Sequence, residues 1–426
     1  MMKPGTRFLF ILYFTPPAPG TAPKRNFRIL PYLSKKAERS VLFTAKYPGR
    51  PVPEIPGVIT HATLAWDYRT FLRSKTRDGY LPEQKKASSW KQWGIKLINT
   101  FPFSIAIGEG GLLYFITLVR KGNQVIRNEK ITHLYSSFRP FTDHYVAYWL
   151  KKKNPQVTWI ADFRDLIVDE HYQHIFFPKN HQSFFKKLFS TANLLTTVSD
   201  GLAVHLKEYN PNVLVVRNGI EGEILVPPPN RSSHFTITYT GSMFLNTRNP
   251  KPVFEALKTL YDKGLIDISN VRIRYAGKDS FLWQRMAADY QFENIWEDHG
   301  LVSDDEARIL QQQSCVNLLL TISSPELTGI LTGKMIEYFQ AGSPVLAIIT
   351  GQNDDELSGM LEELEIGKSF SDQVYDLVNI KDFILREYEF WNNSKSNRKP
   401  AKLEVLKQNY SIVNTMTPLM AFIEKS

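Results

Sequence analysis

Cysteine is almost missing from this chain: one residue, Cys315, in 426. A single thiol excludes a disulfide framework and a cysteine-based zinc site, and it fits a reducing compartment such as the cytoplasm. Beside the apolar residues 316–320, Cys315 reads as a buried strand thiol rather than a nucleophile. Long hydrophobic runs are missing too, since no stretch approaches the roughly 20 apolar residues of a membrane span. Residues 8–14 are apolar and flanked by Lys3 and Arg7, but no small-residue cleavage site follows. Pro16, Pro17 and Pro19 break the run at once, so it reads as the first buried strand of a sheet and not as a signal peptide. The dinucleotide fingerprint G-x-G-x-x-G, the Walker loop and H-E-x-x-H are all absent, which argues against dinucleotide cofactors, ATP hydrolysis and a zinc hydrolase. His171 and His174 share an i,i+3 spacing in a loop-like aromatic stretch and read as surface residues. No protein-held metal is expected.

What is present is the composition of a globular protein, 43% hydrophobic and 22% charged, long enough for two cores. The charge is uneven. Residues 1–222 hold 32 Lys and Arg against 15 Asp and Glu, a net +17, while residues 223–426 hold 20 against 27, a net −7. A basic half joined to an acidic half implies that one domain meets a polyanionic surface: membrane headgroups, a pyrophosphate-bearing acceptor or nucleic acid. No basic-aromatic nucleic-acid module is recognisable, so nucleic acid ranks last.

Strands and helices alternate along both halves. Strands are expected at 8–14, 40–44, 131–136, 156–161, 193–198 and 213–216, with a helix near residues 27–33 that Pro31 kinks or delays. Residues 47–90, rich in proline and charge, read as a long irregular insertion. Residues 90–127 carry Trp90, Trp93 and two apolar runs interspersed with Lys91, Lys96, Arg120, Lys121 and Arg127. They read either as core helices of the first domain or as an amphipathic surface resting on a membrane. Residues 221–234, with Pro227, Pro228 and Pro229, form a linker. The pattern then restarts with strands at 235–239, 271–275, 316–320 and 345–349, a capping box at Ser303 and Glu306, and a largely helical end. Domains are therefore expected at 1–222 and 235–390, with helices 391–426 returning to the first. Such alternation means parallel, doubly wound α/β sheets, here two Rossmann-like halves facing across a cleft that receives ligands at strand ends.

The stretch with most chemistry runs from Thr328 to Ala347. Thr332 is a plausible N-cap, Gly342 a stop, and Pro344 precedes a buried strand. A helix that starts after a Gly/Thr-rich turn collects backbone N–H groups and the positive end of its dipole. Lys334 adds a full charge to that anion site, and Glu337 lies one turn on, on the same face. Glycines at other strand ends, Gly241-Ser242 and Gly277-Lys278, let backbone approach a diphosphate, with Arg248 and Lys251 nearby. From the first half come Gly20, the loop Asp162, Arg164 and Asp165, and Ser199.

The order and spacing of several pieces resemble a GT-B fold glycosyltransferase of the family-4 type, of the sort that builds bacterial surface polysaccharides. They are Phe14-Thr-Pro-Pro with Gly20; Trp159-Ile-Ala-Asp-Phe-Arg-Asp165; Thr197-Val-Ser-Asp-Gly-Leu202; Val216-Arg-Asn-Gly-Ile220; Ile237-Thr-Tyr-Thr-Gly-Ser242; Gly300-Leu-Val-Ser303; and Gly333-Lys-Met-Ile-Glu-Tyr-Phe-Gln-Ala-Gly-Ser-Pro-Val-Leu346. The resemblance implies metal-free, retaining transfer of a sugar from a nucleotide diphosphate sugar to a lipid-linked or glycan acceptor. The second domain would hold the donor and the first the acceptor. The basic first half and the Trp/Lys stretch at 90–127 point to a cytoplasmic protein, peripheral at the inner face of an anionic membrane. By the same resemblance Glu337 accepts from the nucleotide ribose, and backbone amides of Gly329, Ile330, Leu331, Thr332, Gly333 and Lys334 with Arg248 hold the diphosphate. Gly20, Gly241 and Ser242 approach the donor, while Asp162, Arg164 and Asp165 face the acceptor. One departure stands out. The first of the family's two glutamates should lie eight residues before Glu337, where this chain has Gly329, and Glu326 lies three residues too early. The departure implies backbone contacts to the sugar or a different donor chemistry. It also keeps open two alternatives, a nucleotide-sugar epimerase of the same architecture and a non-catalytic binding or scaffold protein.

Overall fold

A computed structural model describes residues 4–16, 21–46, 52–65, 89–107, 110–166, 175–222, 232–243, 248–325, 328–329, 331, 333–393 and 402–426. The chain forms two compact units: residues 1–217 with 416–426, and residues 218–415.

The first unit is built on seven strands: β1 (Arg7–Ile11), β2 (Arg39–Lys46), β3 (Val58–Leu64), β4 (His133–Ser137), β5 (Thr158–Phe163), β6 (Leu194–Thr197) and β7 (Val213–Val215). They lie in the order β3-β2-β1-β4-β5-β6-β7 with every described pairing parallel. The order reverses between β1 and β4, the switch point at which such sheets bind ligands. β3 corrects the expectation of an irregular insertion. It is a half-buried edge strand of β-branched residues that the prolines and charges around it conceal. The helix Thr21–Ser34 runs through Pro31, which forfeits one helical N–H bond.

Residues 89–128 divide between two roles. The helix Gly111–Asn128 sends Tyr114, Leu118, Val125 and Ile126 into the core, at spacings that keep one face inward, while Leu112 and Leu113 stay outside. The helix Thr417–Lys425 belongs to the first unit and lies against β7.

The second unit has six strands: β8 (Phe235–Thr240), β9 (Val271–Ala276), β10 (Trp296–Asp298), β11 (Val316–Ser323), β12 (Val345–Gly351) and β13 (Gly367–Ser371). Their order is β10-β9-β8-β11-β12-β13, again parallel, with the reversal between β8 and β11. β11 and β12 are largely apolar because both faces are covered. Leu318, Leu320, Leu346 and Ile348 serve one core, and Leu319, Val345, Ala347 and Ile349 the other. The end is largely helical, as expected, with β13 as an added strand that Gly-Lys-Ser-Phe-Ser is too polar to announce. Ser303 and Glu306 form the reciprocal capping box.

Candidate functional site

The second unit gathers the sequence motifs at the carboxyl ends of β8 and β9 and the start of the helix Gly333–Ala341. β8 ends in Tyr239-Thr240-Gly241. Gly241 has φ of +124° and donates its N–H to the Ala276 carbonyl at 2.7 Å, so the strand-end loops of β8 and β9 are stitched together. Backbone conformation favours glycine at 241, and space requires it at 277. A Cβ on Gly277 would lie 2.4 Å from the Gly241 carbonyl oxygen, and one on Gly241 would lie 2.3 Å from Lys334 Nζ.

Lys334 therefore fills the space that Gly241 leaves. Its ammonium sits 4.1 Å from the centroid of the Tyr239 ring and donates to Tyr239 Oη at 3.0 Å. Tyr239 in turn donates to the Ser242 carbonyl at 2.8 Å, which also accepts from Arg248 Nη1 at 2.8 Å. Two cations, one from the helix 333–341 and one from the loop after β8, thus meet at Tyr239 and Ser242. Burial, reinforced by the charge of Arg248 and only partly opposed by Glu337 and Asp279, pulls the Lys334 pKa down to about 7. Burial also pushes Tyr239 up to about 12, against the charge of Arg248, which keeps its hydroxyl a donor.

Glu337 is half-buried one turn beyond Lys334, with Gln311 Nε2 at 3.5 Å from its carboxylate. Gln311 is 1% exposed and donates to Thr240 Oγ1 at 2.9 Å, linking the end of β8 to the face that carries Glu337. Asp279 anchors the other side, accepting from the N–H of Met243 at 2.7 Å. None of Tyr239, Gln311 and Asp279 was singled out as a site residue from the sequence. Tyr239, two residues before Gly241 in the strand-end motif, was the most accessible of the three.

Gly329 has φ of +67° and is buried, and its N–H donates to Asp354 Oδ2 at 2.8 Å. Asp354 also caps the helix Asp355–Glu363 through the N–H of Leu357. The amide of Gly329 is therefore engaged by protein. The left-handed backbone explains why glycine rather than glutamate stands there. Leu331 is buried, and its N–H donates to the Gly329 carbonyl at 2.9 Å. Gly342 closes the 333–341 helix with φ of +73°. Ile330, Thr332, Gly20, Glu326, His171 and His174 lie outside the described residues.

In the first unit, Asp162 at the end of β5 is fully buried, and each of its oxygens meets two donors. Oδ1 accepts from Arg25 Nη2 at 2.7 Å and Thr196 Oγ1 at 2.8 Å. Oδ2 accepts from Arg25 Nε at 3.0 Å and Ser137 Oγ at 3.3 Å. Burial alone would raise its pKa, but Arg25, Thr196 and Arg164 outweigh it and hold the carboxyl below its ordinary value. With no accessible oxygen, Asp162 acts by fixing Arg25. It ties the first helix to the ends of β4, β5 and β6. Arg164 is half-buried, donates from Nε to the Phe138 carbonyl at 3.0 Å and has its pKa lowered by burial; Asp165 is exposed. Ser199 caps its helix through the N–H of Leu202 at 3.3 Å.

No protein-family model matches the sequence, and no curated protein matches it. Solved structures do. A sucrose-phosphate synthase from Thermosynechococcus elongatus superposes with a TM-score of 0.66 at 12% identity, over 99% of this chain and 98% of the other. A lipopolysaccharide outer core galactosyltransferase in its apo form gives 0.59 at 12% identity, over 98% and 99%. A UDP-forming α,α-trehalose-phosphate synthase from Burkholderia xenovorans, in complex with glucose-6-phosphate, gives 0.57 at 10% identity, over 98% and 100%. At these identities the likeness concerns architecture, and it agrees with the two strand orders: the chain has the GT-B fold, two Rossmann-like doubly wound units.

Proposed function

We propose that the protein is a glycosyltransferase. It would move a sugar from a nucleotide diphosphate sugar to a lipid-linked or glycan acceptor in cell-surface polysaccharide synthesis, in the manner of family-4 hexosyltransferases and with retention. The observation that carries this reading is the cluster of Gly241, Lys334, Arg248 and Glu337 at the strand ends of the second unit, where two cations meet.

In this reading the donor diphosphate lies against the first turn of the 333–341 helix, whose leading N–H groups have no intrahelical partner. Lys334 swings from the Tyr239 ring to the phosphates, and Arg248 joins it. Glu337 accepts from the ribose hydroxyls, its orientation supported by Gln311. When the acceptor hydroxyl attacks the anomeric carbon, the bond to the diphosphate breaks and negative charge grows on the departing phosphate. Both cations and the helix start stabilise that charge more than they stabilise the bound donor, and this difference is what accelerates transfer. The leaving phosphate takes the acceptor proton, so catalysis is mainly positioning. Asp162, Arg164 and Asp165 belong to the acceptor side, Asp162 through its hold on Arg25. The chain needs no resident cofactor in this scheme.

Thermal-shift measurements with UDP-, GDP- and other nucleotide sugars test the reading. At least one should raise the melting temperature, and Glu337→Ala should lose about 1.5–3 kcal/mol of binding, the range for a hydrogen bond to a charged group. A flat response across the panel sinks the donor assignment. Full affinity in the Glu337→Ala variant removes the ribose role.

A further inference from the structure

The first unit carries a surface that sugar transfer does not explain. In the helix Ser89–Asn99, Trp90 is 86% exposed and Trp93 55%. The short helix Phe103–Ala106 exposes Phe103, the start of the 111–128 helix exposes Leu112 and Leu113, and Phe177 stands out ahead of the helix Pro178–Phe189. These elements adjoin. The three helices from 89 to 128 pack in succession. Phe176 lies 5.9 Å from Trp93, its N–H donates to Thr100 Oγ1 at 2.8 Å, and Phe101 stacks on Phe184 at 4.6 Å. Exposure of large apolar side chains on this scale marks an interaction site.

The charges around it are of one sign. Residues 89–128 hold Lys91, Lys96, Arg120, Lys121 and Arg127 against the single acid Glu109, and residues 175–189 hold Lys179, Lys186 and Lys187 against none. Lys179, Lys186, Lys187, Arg120 and Arg127 are exposed. Tryptophans beside an apolar face, ringed by lysine and arginine, suit the boundary between headgroups and acyl chains of an anionic bilayer. Among the described residues no helix is long and apolar enough to cross a membrane, so the fit is to lie on the surface.

We infer that the surface formed by the 89–99, 103–106 and 111–128 helices with residues 176–187 docks this protein on an anionic phospholipid membrane. Trp90, Trp93, Leu113 and Phe177 enter the interface, and the lysines of the 178–189 helix meet the headgroups. The inference stands on the first unit alone and is independent of the donor site.

Sedimentation of the full chain with vesicles tests it, using phosphatidylcholine alone and phosphatidylcholine mixed with phosphatidylglycerol. The mixed vesicles should bind the protein and shift its tryptophan emission to the blue, and the neutral vesicles should bind it far less. The triple change Lys179→Gln, Lys186→Gln, Lys187→Gln should lower partitioning about a hundredfold, near fivefold for each charge removed. Trp90→Ala with Trp93→Ala should also release the protein from the mixed vesicles. The circular dichroism and melting temperature of both variants should stay those of the parent, because these side chains lie outside the core. Equal binding to both vesicle types, or unchanged binding by the variants, overturns the inference. Concentration-dependent self-association in vesicle-free buffer that Trp90→Ala abolishes, without vesicle binding, also overturns it and makes the face an interface between copies.

Discussion

A depressed lysine at the phosphate end of the proposed donor site makes binding depend on pH in a defined way. Free Lys334 titrates at about 7, held down by burial and by Arg248. A bound diphosphate supplies the missing negative charge and returns the pKa toward its ordinary value. A group whose pKa rises on binding takes up a proton as the ligand arrives, so affinity is full below the free pKa and falls as pH rises through it. With a free pKa of about 7, Lys334 is about nine-tenths charged at pH 6 and about one-tenth charged at pH 8. Affinity for a nucleotide sugar should then be about tenfold weaker at pH 8 than at pH 6. The diphosphate of an intact nucleotide sugar does not itself titrate in this window, which makes it the right probe. Isothermal titration calorimetry in buffers of different ionisation enthalpy reads both the affinity and the proton uptake, which should approach one per ligand at pH 8. Lys334→Met should bind weakly with a flat profile, and Lys334→Arg should be flat because guanidinium stays charged throughout. An affinity constant from pH 6 to pH 8 in the parent, or the same slope in Lys334→Met, refutes the argument.

Other outcomes follow from the same geometry. Lys334→Met should raise the melting temperature at pH 6, where the charged lysine is most costly in its buried place. The gain should be full below about pH 7 and shrink as pH rises toward and past the ordinary lysine pKa of about 10.4, above which the lysine is neutral in folded and unfolded states alike. Asp162→Asn leaves the buried Arg25 charge unmatched and should cost about 3–5 kcal/mol in urea unfolding, with part recovered by adding Arg25→Met. Because pairing holds Asp162 below its ordinary pKa, its contribution is present above about pH 4 and is lost as pH falls through the lower folded value. Gly329→Glu should destabilise by about 1–2 kcal/mol and confer no activity, since a side chain there must adopt a left-handed backbone.

Much of the architecture was legible because a strand covered on both faces has to be apolar. β11 and β12 announce themselves, β8 shows an apolar run broken only by threonines, and Gly241 and Gly351 mark the ends of β8 and β12. β3 and β13 were not, because edge strands are half-covered and tolerate Thr, His, Lys and Ser. At the candidate site, the placement of Lys334 and Glu337 on one helix face could be read from spacing alone. The seat of Lys334 on Tyr239 could not, because the two lie 95 residues apart and only the fold closes that distance. Asp162 shows the opposite limit. Its motif marks it as important, yet whether a carboxylate faces a ligand or an arginine depends on Arg25, on another element altogether. The glycine at 329 was visible as a departure, and its positive φ and its bond to Asp354 give the departure a backbone cause.

The last helix of the first unit carries a temporal consequence. Leu419 and Ile423 are buried in Thr417–Lys425, and His133 Nε2 lies 2.9 Å from Ser426 Oγ, contacts that join an early-made sheet to a segment made much later. A ribosome delivers residues 1–217 about 200 residues before residues 416–426, an interval of roughly 10–40 s at ordinary elongation rates. During that time the nascent first unit stands beside the ribosome with the flank of β7 bare, while the whole second unit is being made. Anything that stalls translation past residue 218 therefore leaves behind a sheet without its closing helix, a species for holding factors and proteases to find.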